Sequence, residues 1–297
     1  MGQSTIPKRI FKRLVRAGLF NRMSDEMFLK LSYHMNFGKK IDLNNPVSFN
    51  EKLQWLKLHD RKAEYIKYVD KYEVRNFIEE QFGSEILIPI YGVWDSVEDI
   101  DFDKLPEKFV LKCTHDSGSV CICENKATFD FQGAKRKLQQ GMRHNLFYWG
   151  REWPYKGVKP RIIAEKYMSD SSGTGELTDY KLMCFNGKVR CSFTGTDRFS
   201  GDGLKITFFD LNWNRMPFER HYPADPKPIP KPKSYDRMID IAERISCGHP
   251  FMRIDFYEID GCPYFGEITL YPGNGMEEFT PEIWDKKLGD MIDISEV

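Results

Sequence analysis

The chain has 297 residues, 41% hydrophobic and 14% aromatic, with 44 lysines and arginines balanced by 44 aspartates and glutamates. That length suits about two or three packed lobes, and the zero net charge excludes a whole-molecule field that would recruit nucleic acid, so any charged ligand must be held locally. Cys113, Cys121, Cys123, Cys184, Cys191, Cys247 and Cys262 lie in scattered apolar runs, which excludes zinc-ligand spacing and argues for reduced packing residues of a cytoplasmic protein rather than a disulfide framework.

In chain order, residues 7 to 22 (PKRIFKRLVRAGLFNR) set Ile10, Phe11, Leu14, Val15 and Leu19 at helical spacing. Lys8, Arg9, Lys12, Arg13, Arg16 and Arg22 lie between them, with no acid in the segment. Such a helix either docks on the body through its apolar face or lies on an anionic leaflet, where each basic residue adds about 1 kcal/mol. No apolar run reaches the ~20 residues of a spanning helix, and the start lacks the apolar core of a secretory signal. The expectation is therefore a soluble, cytoplasmic protein whose only membrane contact is peripheral, at the inner face. SDEMFLKLSYHMNFG follows as a helix with Ser24 as N-cap and Gly38 as stop, and Ser48-Phe49-Asn50-Glu51 opens another, FNEKLQWLKLHDR, so residues 1–60 read as a helical N-terminal extension. YIKYVDKYEVRNFIEEQFG reads as one further helix, with Asp70-Lys71 early in it and Gly83 ending it.

The period then changes. Ile86 to Trp94, Phe109 to Cys113 and Ser119 to Cys123 are strand-like, followed by a helix from Phe131 to Arg143 and an aromatic segment in which Arg151, Glu152, Trp153 and Tyr155 either simply pack, the commoner fate of such residues, or form a wall whose aromatic faces suit a sugar. The apolar run Arg161 to Met168 precedes a Gly/Ser-rich surface loop, Asp170 to Thr178. Then come a strand, Asp179 to Phe185, an Asn186-Gly187 hairpin turn, and a return strand, Lys188 to Phe193. PADPKPIPKP (223–232) is an extended connector, SYDRMIDIAERIS a helix, and a short helix closes the chain.

The chemistry concentrates in MRIDFYEIDGCPYFGEITLYPGNG, which reads as a hairpin turning at Ile259-Asp260-Gly261-Cys262 and facing Asp255 with Glu267. Two carboxylates so close each oppose ionisation of the other unless a cation lies between them, and a hard, oxygen-seeking ion such as Mg²⁺ carrying substrate phosphates suits that place. An isolated pair is more often two exposed strand carboxylates. Lys112 ends a strand and precedes Thr114-His115-Asp116-Ser117-Gly118-Ser119, where small residues let backbone N–H groups and an ammonium approach a polyphosphate. His115 has two readings, a donor to a phosphoryl oxygen and a structural histidine.

The order of these motifs resembles the ATP-grasp superfamily. FNEKLQWLKLHDR, DKYEVRNFI, IPIYGVWD, FVLKCTHDSGS, REWPY, RIIAEKYM, DYKLMCFNGKV, MRIDFY and YFGEIT…PGNG are similar to its TupA-like (teichuronopeptide-type) branch of bacterial surface-polysaccharide biosynthesis. The resemblance implies an α+β fold in which two lobes clasp ATP: an N-terminal lobe segment at 61–104, a small lobe at 105–168 ending at the hinge, and a large lobe at 169–297 carrying the metal site. It implies Lys71 and Lys112 on the α and β phosphates, and Glu165, Lys166, Tyr167 and Met168 as the hinge holding adenine. It further implies Asp179 on the ribose, Lys181 on the phosphates, Asp255 and Glu267 on Mg²⁺, and Arg253 steadying the transferring phosphoryl group. The usual third metal ligand, an asparagine two residues after the glutamate, is Thr269 here, so that ligand is Thr269 or Asn274. The loop after Lys112 is also poorer in glycine than is common in the branch. The implied reaction joins a hexuronic acid of a capsular or other surface saccharide precursor to an amino acid or small amine through an acyl phosphate. A saccharide phosphotransferase and a non-catalytic saccharide-binding scaffold are the alternatives.

Overall fold

The structure, a computed structural model, describes residues 6–169, 177–196 and 203–297. The expected Gly/Ser-rich loop falls mostly at 170–176, outside the described residues. Helix α1 (Ile6–Arg16) docks Phe11 and Val15 on Phe28 and Leu29 of α2 (Asp25–Phe37). Ser24 caps α2 by accepting from the Met27 N–H, and Gly38 ends it in the left-handed region. α3 (Phe49–His59) opens on a reciprocal Ser48/Glu51 capping box and buries Phe49, Leu53 and Leu56 in the main core.

The single helix expected next is two, α4 (Tyr65–Val69) and α5 (Val74–Phe82). The break is made by Asp70, whose carboxylate accepts from the N–H groups of Tyr72 (2.8 Å) and Glu73 (3.3 Å). A short polar side chain here competes with the helix ladder for its donors. The freed Lys71 N–H bonds the Thr114 carbonyl at 3.0 Å, which carries Lys71 to the loop after Lys112.

Strand β1 (Ile90–Trp94) begins later than its apolar run because a 3-10 turn occupies Ser84–Ile86 and Pro89 has no N–H to donate. β2 (Phe109–Cys113), β3 (Cys121–Cys123) and, after helices α6 (Phe131–Met142) and α7 (Phe147–Gly150), β4 (Ile162–Lys166) complete a four-stranded antiparallel sheet ordered β1-β4-β2-β3 among the described residues. The sheet thus takes β1 from residues 61–104 and its other strands from 105–168. Its core joins Phe109, Leu111, Cys113, Ile162 and Ala164 to Ala134 and Leu138 of α6.

The second sheet uses β5 (Asp179–Phe185), β6 (Lys188–Thr196) and β7 (Lys205–Phe209). The chain then passes through β8 (Glu219–Arg220), an irregular 223–232 connector and α8 (Tyr235–Ser246) to β9 (Phe251–Ile259) and β10 (Cys262–Thr269). The order is β10-β9-β5-β6-β7, all antiparallel. Asn186 and Gly187, and again Asp260 and Gly261, hold the positive φ that two-residue hairpins require. β11 (Phe279–Thr280) pairs with β8, and α9 (Ile283–Gly289) packs on α3. Among the described residues no helix is long and apolar enough to cross a membrane.

Candidate active site

Alternation along β9 sends Met252, Ile254 and Phe256 into the core and Arg253, Asp255 and Tyr257 to the other face. The register sets Lys181 of β5 and Glu267 of β10 on either side of Asp255, so three charged residues form one row across the sheet. Glu267 reaches that row through a β-bulge. Phe265 pairs with Phe256, then Gly266 takes an extra position, and Glu267 meets Asp255. In unbroken register Glu267 would oppose Ile254 and point into the core. A Cβ on Gly266 would come within 3.0 Å of the Asp255 carbonyl oxygen, which explains glycine at the bulge.

Cations hold these acids. Arg253 donates to both Asp255 oxygens at 2.7 Å and to Glu267 at 3.0 Å, and Lys181 donates to Asp255 at 2.6 Å and also to Asp179. Lys71 lies 3.7 Å from Glu267 and donates to the Asp116 carbonyl at 2.8 Å, bridging the large sheet to the loop after β2. In the small sheet Lys112 pairs with Glu165 at 2.6 Å. Burial pushes the Asp255 carboxyl up against the pull of Arg253 and Lys181. At Glu267 burial acts in the same direction but is outweighed by Lys71, Arg253, Lys181 and Lys112, which hold it at about 2.

The structure therefore brings Lys71, Asp179, Lys181, Arg253, Asp255 and Glu267 together, with Lys112 and Glu165 on the facing sheet. Lys166 ends β4, its N–H bonded to the Pro89 carbonyl at 2.8 Å; Tyr167 and Met168 follow outside the strand, and the Tyr167 hydroxyl donates to Glu124 at 3.2 Å. The Thr269 hydroxyl donates to Glu267 at 3.2 Å. Asn274 has other partners: its carboxamide oxygen accepts from Lys57 at 2.6 Å, close to Gly150. Among the described residues no three His, Cys, Asp or Glu side chains are grouped to hold a metal. The donor set is two carboxylates with a hydroxyl or a carboxamide. Mg²⁺ is commonly bound in this way, by one or two carboxylates with substrate phosphates completing the shell, so the residues fit that ion.

Of the two readings of the aromatic segment, packing describes Arg151 and Trp153. Arg151 is 1% exposed. Its left-handed backbone caps α7, and its guanidinium donates to the carbonyls of Phe20 (2.7 Å) and Met23 (3.1 Å), pairs with Asp25 and lies over the Phe28 ring. Trp153 donates to the Asp60 carbonyl at 3.1 Å. Both are structural. Glu152, by contrast, is half-buried with no hydrogen bond or ion pair for its carboxylate among the described residues. Burial pushes it up to about 7, and Lys57, Arg253 and Glu267 are the charges it senses. Tyr155 senses Glu152, Glu267, Arg253 and Asp116, whereas Tyr257 senses Asp179, Glu267, Asp255 and Glu165. Along that face of β9, Arg253 and Tyr257 flank Asp255, and Glu152 and Tyr155 are near enough to feel the charges of Arg253 and Glu267.

Lys57 is a site residue that motif reading missed. Fully buried on α3, it donates to Gln54, to the Gly150 carbonyl and to both oxygens of Asn274 at 2.6–2.9 Å, while burial pulls it down to about 7. Its signal is a polar stripe, Asn50, Gln54 and Lys57, at helical spacing on the buried face of an amphipathic helix. His115 is buried, bonds the Gly141 carbonyl at 3.1 Å and is pulled down by burial. Asp116 accepts from Ser119 at 2.5 Å, which closes the loop on itself.

A model of the TupA-like ATP-grasp family matches residues 51–293. Among solved structures, D-alanine–D-alanine ligase from Bacillus anthracis in complex with ATP is 18% identical (TM-score 0.44; 76% of this chain, 65% of that one), and an L-amino acid ligase from Bacillus licheniformis is 12% identical (TM-score 0.46; 87% and 57%). The chain spans less than two thirds of the length of either. No curated protein matches it.

Proposed function

The chain belongs to the TupA-like ATP-grasp family, with that family's α+β fold, and on this premise we propose an ATP-dependent carboxylate–amine ligase that amidates a hexuronic acid of a surface-polysaccharide precursor. The observation that carries the reading is the row Lys181–Asp255–Glu267, ringed by Lys71, Arg253 and Lys112. It combines a hard-cation pair with the positive charge that a polyphosphate requires.

In this reading 61–104 is a lobe segment that packs Tyr65, Val69, Val74 and Ile78 on the large sheet's core and lends β1 to the small sheet, 105–168 is the small lobe ending at the hinge, 169–297 the large lobe, and the backbone of Glu165, Lys166, Tyr167 and Met168 holds adenine. Asp179 takes the ribose, and Lys71, Lys112 and Lys181 take the phosphates. Asp255 and Glu267, with Thr269 or Asn274, hold Mg²⁺, whose chemistry when bound is neutralisation of charge on the phosphate oxygens. A substrate carboxylate oxygen bonds to the γ-phosphorus as the bond to the ADP oxygen breaks, giving an acyl phosphate. Arg253 is placed to steady the phosphoryl oxygens, an electrostatic contribution of the kind that dominates such transfers. The neutral amine nitrogen then bonds to the acyl carbon as that carbon's bond to the phosphate oxygen breaks, and the amine proton passes to the departing phosphate. Glu152, whose carboxylate has no hydrogen bond or ion pair among the described residues and which feels the Arg253 and Glu267 charges, is suited to receive the ammonium group of the incoming amine.

The test is turnover of Mg-ATP with ¹⁸O-carboxylate glucuronic or galacturonic acid and a set of amino acids. ADP and inorganic phosphate should form only with acid and amine together, each phosphate carrying one ¹⁸O. Phosphate retained on the sugar would instead establish the phosphotransferase.

A further inference from the structure

Helix α1 has three faces. Successive residues turn by about 100°, so Phe11 and Val15 point together onto Phe28 and Leu29 and account for the docking. Ile6, Ile10 and Leu14, four apart, run along a second face and are 74%, 53% and 37% exposed, with Leu19 beyond the helix at 66%. Arg9 and Arg13 border that strip. Neither they nor Arg22 make an ion pair among the described residues, and no acid lies between residues 6 and 24. The acids that begin α2 are already paired, Asp25 with Arg61 and Arg151, Glu26 with Lys30.

Docking on the body therefore uses one apolar face and leaves the other in water beside unpaired arginines. We propose that this second face is a membrane-docking surface: Ile6, Ile10, Leu14 and Leu19 enter the headgroup region of an anionic bilayer while Arg9, Arg13 and Arg22 meet its lipid phosphates. Charge decides the occupant. The whole chain is neutral, yet this edge is purely cationic, so it complements an anionic plane and opposes pairing with a second copy of itself. The inference is independent of the reaction proposed above.

The test is sedimentation of the full chain with vesicles of phosphatidylcholine alone and of phosphatidylcholine mixed with phosphatidylglycerol. Binding should require the anionic lipid and weaken with salt. The double variants Ile10→Asp/Leu14→Asp and Arg9→Gln/Arg13→Gln should each weaken it about tenfold or more, with wild-type unfolding temperature because all four side chains are exposed. Absence of binding to the mixed vesicles, or binding undiminished in Ile10→Asp/Leu14→Asp, would overturn the proposal. A concentration-dependent dimer abolished by Ile10→Asp/Leu14→Asp, without lipid binding, would overturn it in favour of a second copy.

Discussion

Asp255 and Glu267 are neighbours in one row but differ in what surrounds them, and their removal should differ in cost. The Asp255 side chain is 3% exposed and satisfies both Arg253 and Lys181; that of Glu267 is 38% exposed. Asp255→Asn leaves two buried cations short of a counter-charge and should destabilise the chain by about 3 kcal/mol, whereas Glu267→Gln should cost about 1 kcal/mol or less. Urea unfolding of the two variants checks the difference. A second residue sets an acid limit on stability. His249 is buried against the Tyr65 hydroxyl (2.9 Å), and burial pulls it from 6.5 to about 4. Between those values the unfolded chain takes up a proton that the folded chain refuses, so stability should fall from pH 6.5 to pH 4, by about 3 kcal/mol in total. In His249→Gln that part of the pH slope should vanish, as followed by unfolding midpoint against pH. The acidic pair is legible in the sequence because alternation and a turn place it. Lys57 and Glu152 are not, since their character comes from residues more than 90 positions away, Gly150 and Asn274 around the one, Arg253 and Glu267 beside the other.

Two irregular elements position the site, and each is written in a single residue. Asp70 splits one expected helix and sends Lys71 toward Glu267 and the loop after Lys112. Asp70→Ala should cost about 1 kcal/mol through the lost cap and also weaken nucleotide binding, whereas an exposed acid such as Glu80→Ala should do neither. Comparing their thermal unfolding with and without Mg-ATP separates the two effects. Gly266 moves Glu267 from the core face to the cleft face. Gly266→Val would press a side chain on the Asp255 carbonyl oxygen, 3.0 Å from the Cβ, and should disturb the bulge that presents Glu267, with loss both of stability and of any Mg-ATP effect in the same unfolding comparison. Regular elements were readable from period and caps, as Ser24, Gly38 and the Ser48/Glu51 box illustrate. The break at Asp70 was not, because the helical pattern continues through it and the acceptor for the freed Lys71 N–H, the Thr114 carbonyl, lies 43 positions beyond Lys71.

At the scale of the molecule, two antiparallel sheets meet across a strip of charge, and the strip is assembled from distant parts: Lys71 before the first sheet, Lys112 within it, Lys181, Arg253, Asp255 and Glu267 in the second. α3 closes the base, its Gln54 and Lys57 holding the carbonyls of Asn274 and Gly275. The family pattern makes the fold class legible, whereas the sharing of β1 with the strands that follow it depends on pairing that no local window contains. If this strip is a nucleotide site, Mg-ATP must tie the two sheets together. The most direct measurement is the unfolding temperature of wild type, Lys112→Ala and Glu267→Gln with and without Mg-ATP. At a hundredfold excess over Kd, wild type should gain about 2.7 kcal/mol, and both variants, altered on opposite sheets, should lose most of that gain. No shift in wild type, or an equal shift in all three proteins, would contradict the account.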